Sequence, residues 1–317
     1  MEAFPQAPRP FIDLSTGINP HAYPLPALPG ALFEQLPQRQ DTESLEAVAA
    51  QAFGVAQPQG LMAVPGTQAL IQRLPDLLRS RNIGILGPTY SGHSAAWNHA
   101  GASVSELGHL QDLHGFDAAI VVNPNNPDGR LVEIADLEIL RQRNQYLVVD
   151  EAFIDLMPAA ASFAARAALE GSNVMVLRSF GKTYGLAGVR LGFGIGAPAI
   201  INALRRSFGD WAISGPAQFI GKTALADMAW RQAMAERLER ESQRLTHLLG
   251  RAGWADAGGT MLFRLARHEA AGRWFRHLAR HGILTRPFAG AQALLRFGLP
   301  KGEDEWQRLG DALSTGP

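Results

Sequence analysis

The 317-residue chain has no cysteine. That excludes disulfides, thiolate metal sites and a cysteine nucleophile, and it suits a reducing compartment. It has no excess of either charge: 29 Lys+Arg face 29 Asp+Glu, for a formal net charge of +0. Neither a nucleic acid nor an anionic membrane surface is therefore expected as a partner. No apolar run is long enough to span a bilayer. The opening residues, MEAFPQAPRPFIDLSTG, carry no apolar core flanked by positive charge. A cytoplasmic protein is expected. Lysine is scarce as well. Lys182, Lys222 and Lys301 are the only three among the 29 cations, so a lysine set in an apolar stretch is a candidate for chemistry.

What is present supports a sizeable core. Hydrophobic residues make up 46% of the chain, enough for one large or two medium domains. From about residue 44 to 225, helix-like and strand-like segments alternate. Ser44 to Phe53 is amphipathic and runs into Gly54, a C-cap signal. Continuous apolar runs at Ile83–Leu86, Ala118–Val122, Tyr146–Val149 and Val174–Leu177 read as strands covered on both faces. Between them lie helix-like stretches such as Ile134 to Arg143. This pattern predicts an α/β fold, a mostly parallel central sheet with helices on both faces.

A long amphipathic helix is expected over Ala226–Leu249. It is followed by a strand around Met261–Leu265, a helix around Glu269–His281, a strand at Leu294–Phe297 and a closing helix from Asp304. The expected division is residues 1–43 as an N-terminal segment packing on the small domain, 44–225 as the large domain, and 226–317 as a linking helix and small α+β C-terminal domain.

Lys182 lies in MVLRSFGKTYGLAGVRLGFGIGA, residues 175 to 197. The Gly-Lys-Thr is not a phosphate-binding P-loop. The first glycine of Gly-x-x-x-x-Gly-Lys-Ser/Thr would have to fall on Val176, inside a strand-like run. Gly192-Phe193-Gly194-Ile195-Gly196-Ala197 matches a loose dinucleotide fingerprint, but that fingerprint should follow a strand and open a helix. Here Arg190 to Ile195 alternates like a strand itself.

Open α/β sheets bind ligands beyond the carboxyl ends of their strands, and three of the expected strands end in polar groups. Val122 runs into Asn123-Pro124-Asn125-Asn126-Pro127-Asp128-Gly129, Val149 into Asp150-Glu151, and Leu177 into Arg178-Ser179-Phe180-Gly181-Lys182. Leu61-Met62-Ala63 leads into Val64-Pro65-Gly66-Thr67-Gln68-Ala69, where a helix opens. A helix N-terminus with glycine and hydroxyl residues holds phosphate through backbone N–H groups and the helix dipole. A lysine, an acid, an amide and an anion cradle are the parts a pyridoxal phosphate enzyme uses. Asn123 and Asn125 are expected in turn hydrogen bonds. His277 and His281, at i and i+4 with no third ligand, read as a solvated helix face, and no metal is expected.

The ordered set Pro-Gly-Thr-Gln, Pro-Thr-Tyr, Asn-Pro-Asn-Asn-Pro-Asp-Gly, Val-Asp-Glu-Ala-Phe and Ser-Phe-Gly-Lys…Gly-Val-Arg-Leu-Gly-Phe resembles the fold-type I pyridoxal phosphate enzymes. Within them it is most similar to the branch of histidinol-phosphate aminotransferases and threonine-phosphate decarboxylases. The resemblance covers nearly the whole chain. It implies pyridoxal 5'-phosphate as cofactor, with Lys182 as the Schiff-base lysine and proton shuttle. Asp150 would face the pyridinium nitrogen, Asn126 the phenolic oxygen and Tyr90 the ring. Gly66, Thr67, Gln68, Ser179 and Arg190 would hold the phosphate. For the substrate it implies Arg296 at the carboxylate, with Arg286, Asn19 and His21 nearby. His93 is a further candidate cation for a substrate phosphate. It also implies a homodimer with shared active sites, to which Ser214 would contribute.

Phe153, Gly181 and Leu36-Pro37 depart from the aminotransferase pattern of tyrosine, a hydroxyl residue and Tyr-Pro. Phe153-Ile154-Asp155 and Asp13-Leu14-Ser15-Thr16-Gly17-Ile18-Asn19-Pro20 resemble the decarboxylases instead. The reaction so implied is decarboxylation of L-threonine O-3-phosphate to (R)-1-aminopropan-2-yl phosphate, for the cobalamin side chain. Amino transfer of the histidinol-phosphate or aromatic type is the alternative.

Overall fold

The structure, a computed structural model, describes residues 4–317. The described residues form two compact units, one of residues 23–126 and 131–231, the other of residues 4–22, 127–130 and 232–317.

The first unit is built on a seven-stranded sheet. In spatial order its strands are Leu61–Val64, Gly192–Gly196, Val174–Ser179, Tyr146–Asp150, Ala118–Val122, Asn82–Leu86 and Ser103–Leu107. The last five run parallel to one another, whereas Gly192–Gly196 is antiparallel to both its neighbours. The unbroken apolar runs have a plain cause. Successive side chains of a strand point to opposite faces, and here both faces are covered. Val121, Val149, Val176 and Ile195 enter one buried cluster. Ile85, Ile120, Val148 and Met175 enter the other. Strand Val174–Ser179 absorbs the residues a P-loop would need, and Gly192–Gly196 is itself a strand. Both alternative nucleotide motifs therefore lack their loop.

The helix expected over Ser44–Phe53 starts earlier, at Arg39, and ends at Ala52 with Gly54 at φ +69°. Its start is fixed by a reciprocal cap between Gln38 and Asp41. Strand Ser103–Leu107 carries no apolar run and leaves no periodic signal, because it lies at the sheet edge.

The second unit has a four-stranded antiparallel sheet in the order Arg286–Pro287, Leu294–Gly298, Phe263–Arg267, Ala255–Thr260. Helices Ala271–Arg280 and Glu303–Thr315 accompany it, with most of the helix Met228–Arg251. Where one strand is expected around Met261–Leu265, the chain makes a hairpin and Met261-Leu262 is its turn. Its first arm, ADAGGT, has two glycines at positive φ and few β-forming residues, which hides it from pattern reading. Near the N-terminus, Ile12–Asp13 pairs in parallel with Ile283–Leu284. The N–H of Gly298 donates to the Leu14 carbonyl at 2.7 Å. His277 and His281 are half-buried rather than solvated. His277 Nε2 lies 2.8 Å from the Ala312 carbonyl and His281 Nδ1 lies 2.9 Å from that of His277.

Ile120 is fully buried in a central strand of the large sheet. Truncating such a side chain removes its transfer free energy and leaves a cavity. Ile120→Ala is expected to lower unfolding stability by about 2–5 kcal/mol, read as a fall in the urea midpoint. An unchanged midpoint would contradict this packing.

Candidate functional site

The site is assembled at the carboxyl ends of the parallel strands of the larger unit. Asp150 is the last residue of strand Tyr146–Asp150, in register with Val122 and Leu177 on its two neighbours. Lys182 sits three residues beyond the end of Val174–Ser179, on the single turn Phe180–Thr183. Asn126 is half-buried in the loop after Ala118–Val122. Adjacent parallel strands thus bring the amide, the acid and the amine to one rim.

Each group is held. Asp150 is 4% exposed. Its Oδ1 accepts from the Ala152 N–H at 3.1 Å, and its Oδ2 lies 2.9 Å from His93 Nε2. His93, a candidate for a substrate phosphate, is fully buried and serves the acid instead. Its Nδ1 has no hydrogen-bond partner. No sequence spacing signalled this pair, because it joins a helix to a strand 57 residues away. The Lys182 ammonium nitrogen stands 4.8 Å from the centroid of the Phe153 ring, a cation–π contact. The Tyr90 ring is 41% exposed, and its hydroxyl donates to Gln68 Oε1 at 2.9 Å. Asn123 and Asn125, expected in turn hydrogen bonds, instead bond residues outside their own turn. Asn123 bonds both backbone groups of Val132, while Asn125 accepts from Thr89 Oγ1 and donates to the Pro88 carbonyl.

The anion cradle is a backbone feature. Helix Thr67–Leu78 begins after Gly66, with no side chain capping its first N–H groups, so those donors remain for a ligand. Gly66 has φ +82°, and a Cβ there would lie 2.8 Å from Arg190 Nη2. Arg190 has a left-handed backbone, φ +56°, and its guanidinium reaches the helix start. A Cβ at Gly192 would lie 2.8 Å from the Thr67 nitrogen, and Gly192 is in register with Ser179. Gly66, Thr67 and Arg190 therefore meet at the helix start, with Ser179 on the strand beside Gly192, and their N–H and guanidinium donors suit a phosphate monoester.

Behind this rim is a buried ion cluster that the sequence reading missed. Arg178 donates to Glu151 at 2.9 Å, to Asp155 and to Ser162 Oγ at 3.0 Å, with its guanidinium 4.3 Å from the Phe53 ring centroid. Glu151 also accepts from the Phe163 N–H and from Ser162 Oγ. Burial pulls the Arg178 pKa down, but the charges of Asp155 and Glu151 outweigh it and hold the guanidinium above its ordinary value.

The remaining predicted residues belong to the second unit. Arg286 and Arg296 are register partners on adjacent strands, so their side chains leave the same face. Arg296 is 7% exposed and donates to the Ser15 carbonyl at 2.6 Å. Burial, reinforced by Arg286, lowers its pKa to about 10. Asn19 is buried, and its Oδ1 accepts from the His21 N–H at 2.9 Å. His21 Nε2 is engaged by Glu241 at 2.8 Å. Back in the larger unit, Ser214 caps helix Gly215–Ala226 by accepting from the Ala217 N–H.

Comparison with known proteins bears on family and fold. A model of the family described as aminotransferase class I and II matches residues 27–309. The chain is 42% identical over 310 residues to a threonine-phosphate decarboxylase of Pseudomonas aeruginosa, covering 96% of this chain and 91% of the relative. It is 40% identical over 317 residues to a threonine-phosphate decarboxylase of a Sinorhizobium species, covering 97% and 92%. The crystal structure of a histidinol-phosphate aminotransferase from Sinorhizobium meliloti, in complex with pyridoxal-5'-phosphate, superimposes with a TM-score of 0.82. It covers 96% of this chain and 90% of that one at 18% identity, and so bears on the fold alone.

Removing one partner of a buried ion pair leaves an uncompensated charge. Arg178→Met is therefore expected to lower stability by about 3–5 kcal/mol, seen as a fall in the thermal midpoint. Retention of the parent midpoint would show that Glu151 and Asp155 do not depend on Arg178.

Proposed function

This chain belongs to the aminotransferase class I and II family, and from that membership we infer that it is a pyridoxal-phosphate-dependent decarboxylase of L-threonine O-3-phosphate, yielding (R)-1-aminopropan-2-yl phosphate for cobalamin biosynthesis. The observation that carries this reading is identity of 40–42% to threonine-phosphate decarboxylases along nearly the whole chain. The lysine, acid and anion cradle gathered in one unit supply the chemistry it needs.

The residues present fit the cofactor. The uncapped helix start at Gly66 and Thr67, with Ser179 and Arg190, would take its phosphate. Lys182 would bond its aldehyde carbon, Asp150 would face its ring nitrogen, Asn126 its phenolic oxygen, and Tyr90 its ring. When bound, pyridoxal phosphate supplies an electron sink for the pair released as a bond at the substrate α-carbon breaks.

The chain's part is to choose the bond and manage the protons. Asp150 is buried and ordered by His93 and the Ala152 N–H, so its carboxylate is fixed to hold a proton on the ring nitrogen. Lys182 Nζ is the group that returns a proton to the α-carbon after carbon dioxide leaves. Its Nζ lies 4.8 Å from the centroid of the Phe153 ring, a face that carries no phenolic hydroxyl. Arg296 and Arg286 are assigned the substrate's anions, carboxylate and phosphate, which suit guanidinium forks. Asn19 and His21 support that role from the N-terminal segment. The reading extends to a cytoplasmic homodimer with shared active sites. The exposed Phe33 and Leu36, at 67% and 61%, are candidates for burial in it.

The test is turnover. The isolated protein is expected to show visible absorbance that borohydride removes and that Lys182→Ala lacks, and to release carbon dioxide from L-threonine O-3-phosphate. Amino transfer dependent on a keto acid, with no carbon dioxide, would reject the decarboxylase. A second expectation concerns Arg296. Its guanidinium loses its proton as pH rises through about 10, so KM should rise there while kcat changes less. A KM unchanged to pH 11 would remove Arg296 from substrate binding.

A further inference from the structure

Within the second unit, the helix Met228–Arg251 and the closing helix Glu303–Thr315 line a groove of about 770 Å³. No step of the reaction above uses it. Arg240, Arg244, His247 and Arg251 all line it. Spacings of four, three and four place them along one face of the long helix. Arg244 is accounted for: it forks onto Glu303, at 2.7 Å for one arm, and lies 4.4 Å from the Trp306 ring centroid. Arg240, His247 and Arg251 make no side-chain hydrogen bond or ion pair among the described residues. Asp311 is the one acid lining the groove among the described residues, and its Oδ1 accepts from Gln307 Nε2 at 2.9 Å.

Like charges one helical turn apart destabilise a helix unless something neutralises them. In a chain of net charge +0, an unpaired basic row is a local arrangement rather than a reflection of composition. Leu248, Trp306 and Leu313 give the groove an apolar wall beside that row. Its volume falls in the range of small-molecule sites, roughly 300–1,000 Å³. At 1.5 Å per residue the row from Arg240 to Arg251 is about 16 Å long, which suits an elongated polyanion better than one orthophosphate. We propose that this groove binds a small organic polyphosphate of the nucleotide class, its phosphates along Arg240, His247 and Arg251 and its ring against the apolar wall. Arginine grips phosphate oxygens in pairs, and both arginines are exposed and unengaged before binding.

The test is calorimetric titration of the pyridoxal-phosphate-loaded protein with ATP, pyrophosphate, orthophosphate and an oligoglutamate peptide. ATP is expected to bind more tightly than pyrophosphate, and orthophosphate least. Affinity should fall as salt rises. The double variant Arg240→Glu/Arg251→Glu should weaken ATP binding at least about tenfold, or 1.4 kcal/mol, with decarboxylation and thermal midpoint unchanged. The neutral pair Arg240→Gln/Arg251→Gln should show the same direction, which guards against misfolding of the charge-reversed protein. The proposal is overturned if ATP binds both variants as tightly as the parent, if it fails to bind the parent at millimolar concentration, if pyrophosphate matches it, or if only the peptide binds.

Discussion

The rim of the large sheet depends on the buried contact between Arg178 and the two acids Glu151 and Asp155. Arg178 lies one residue before the end of strand Val174–Ser179, which leads to Lys182, while Glu151 and Asp155 lie one and five residues after Asp150. The ion cluster therefore ties the segment carrying the amine to the segment carrying the acid. Hydrogen bonds from Ser162 and the Phe163 N–H saturate Glu151, which makes three charges tolerable where water is excluded. The same clamp fixes the loop 150–155 that presents Phe153 to Lys182.

In front of that anchor, the site divides its tasks between side chains and backbone. Side chains place the titratable groups: His93 bonds Asp150, and the Phe153 ring faces Lys182 Nζ. Backbone shapes the proposed anion cradle. A helix start without a cap would be a defect in a structural helix. Here it is kept open by Gly66 and by the close approach of Gly192 to Thr67, with Arg190 in a left-handed conformation leaning across. Substitution at either glycine would place a methyl group where a guanidinium or an amide now lies.

The second unit holds two separate groups of cations. Arg296 and Arg286 share one sheet face, and burial, reinforced by Arg286, lowers the Arg296 pKa. Arg240, His247 and Arg251 form a separate row on the long helix. Under the readings proposed above, each arrangement would meet an anion.

The sequence alone determined the α/β class, because strands buried on both faces must be continuously apolar and the runs at Ala118–Val122 and Val174–Leu177 have no other use. It also marked Lys182, Asp150 and the Gly66–Thr67 helix start, since chemistry at a strand end leaves polar residues directly after an apolar run. Tertiary structure decided what periodicity does not encode. The edge strand Ser103–Leu107 and the glycine-bearing arm Ala255–Thr260 exist because neighbours pair with them, not because their residues prefer extension. His93 became the partner of Asp150 and lost its role as a free cation through a contact across 57 residues. Arg178, adjacent to the site in sequence, turned out to point into the core. Local pattern reports which face a side chain takes; only the folded chain sets what it meets there.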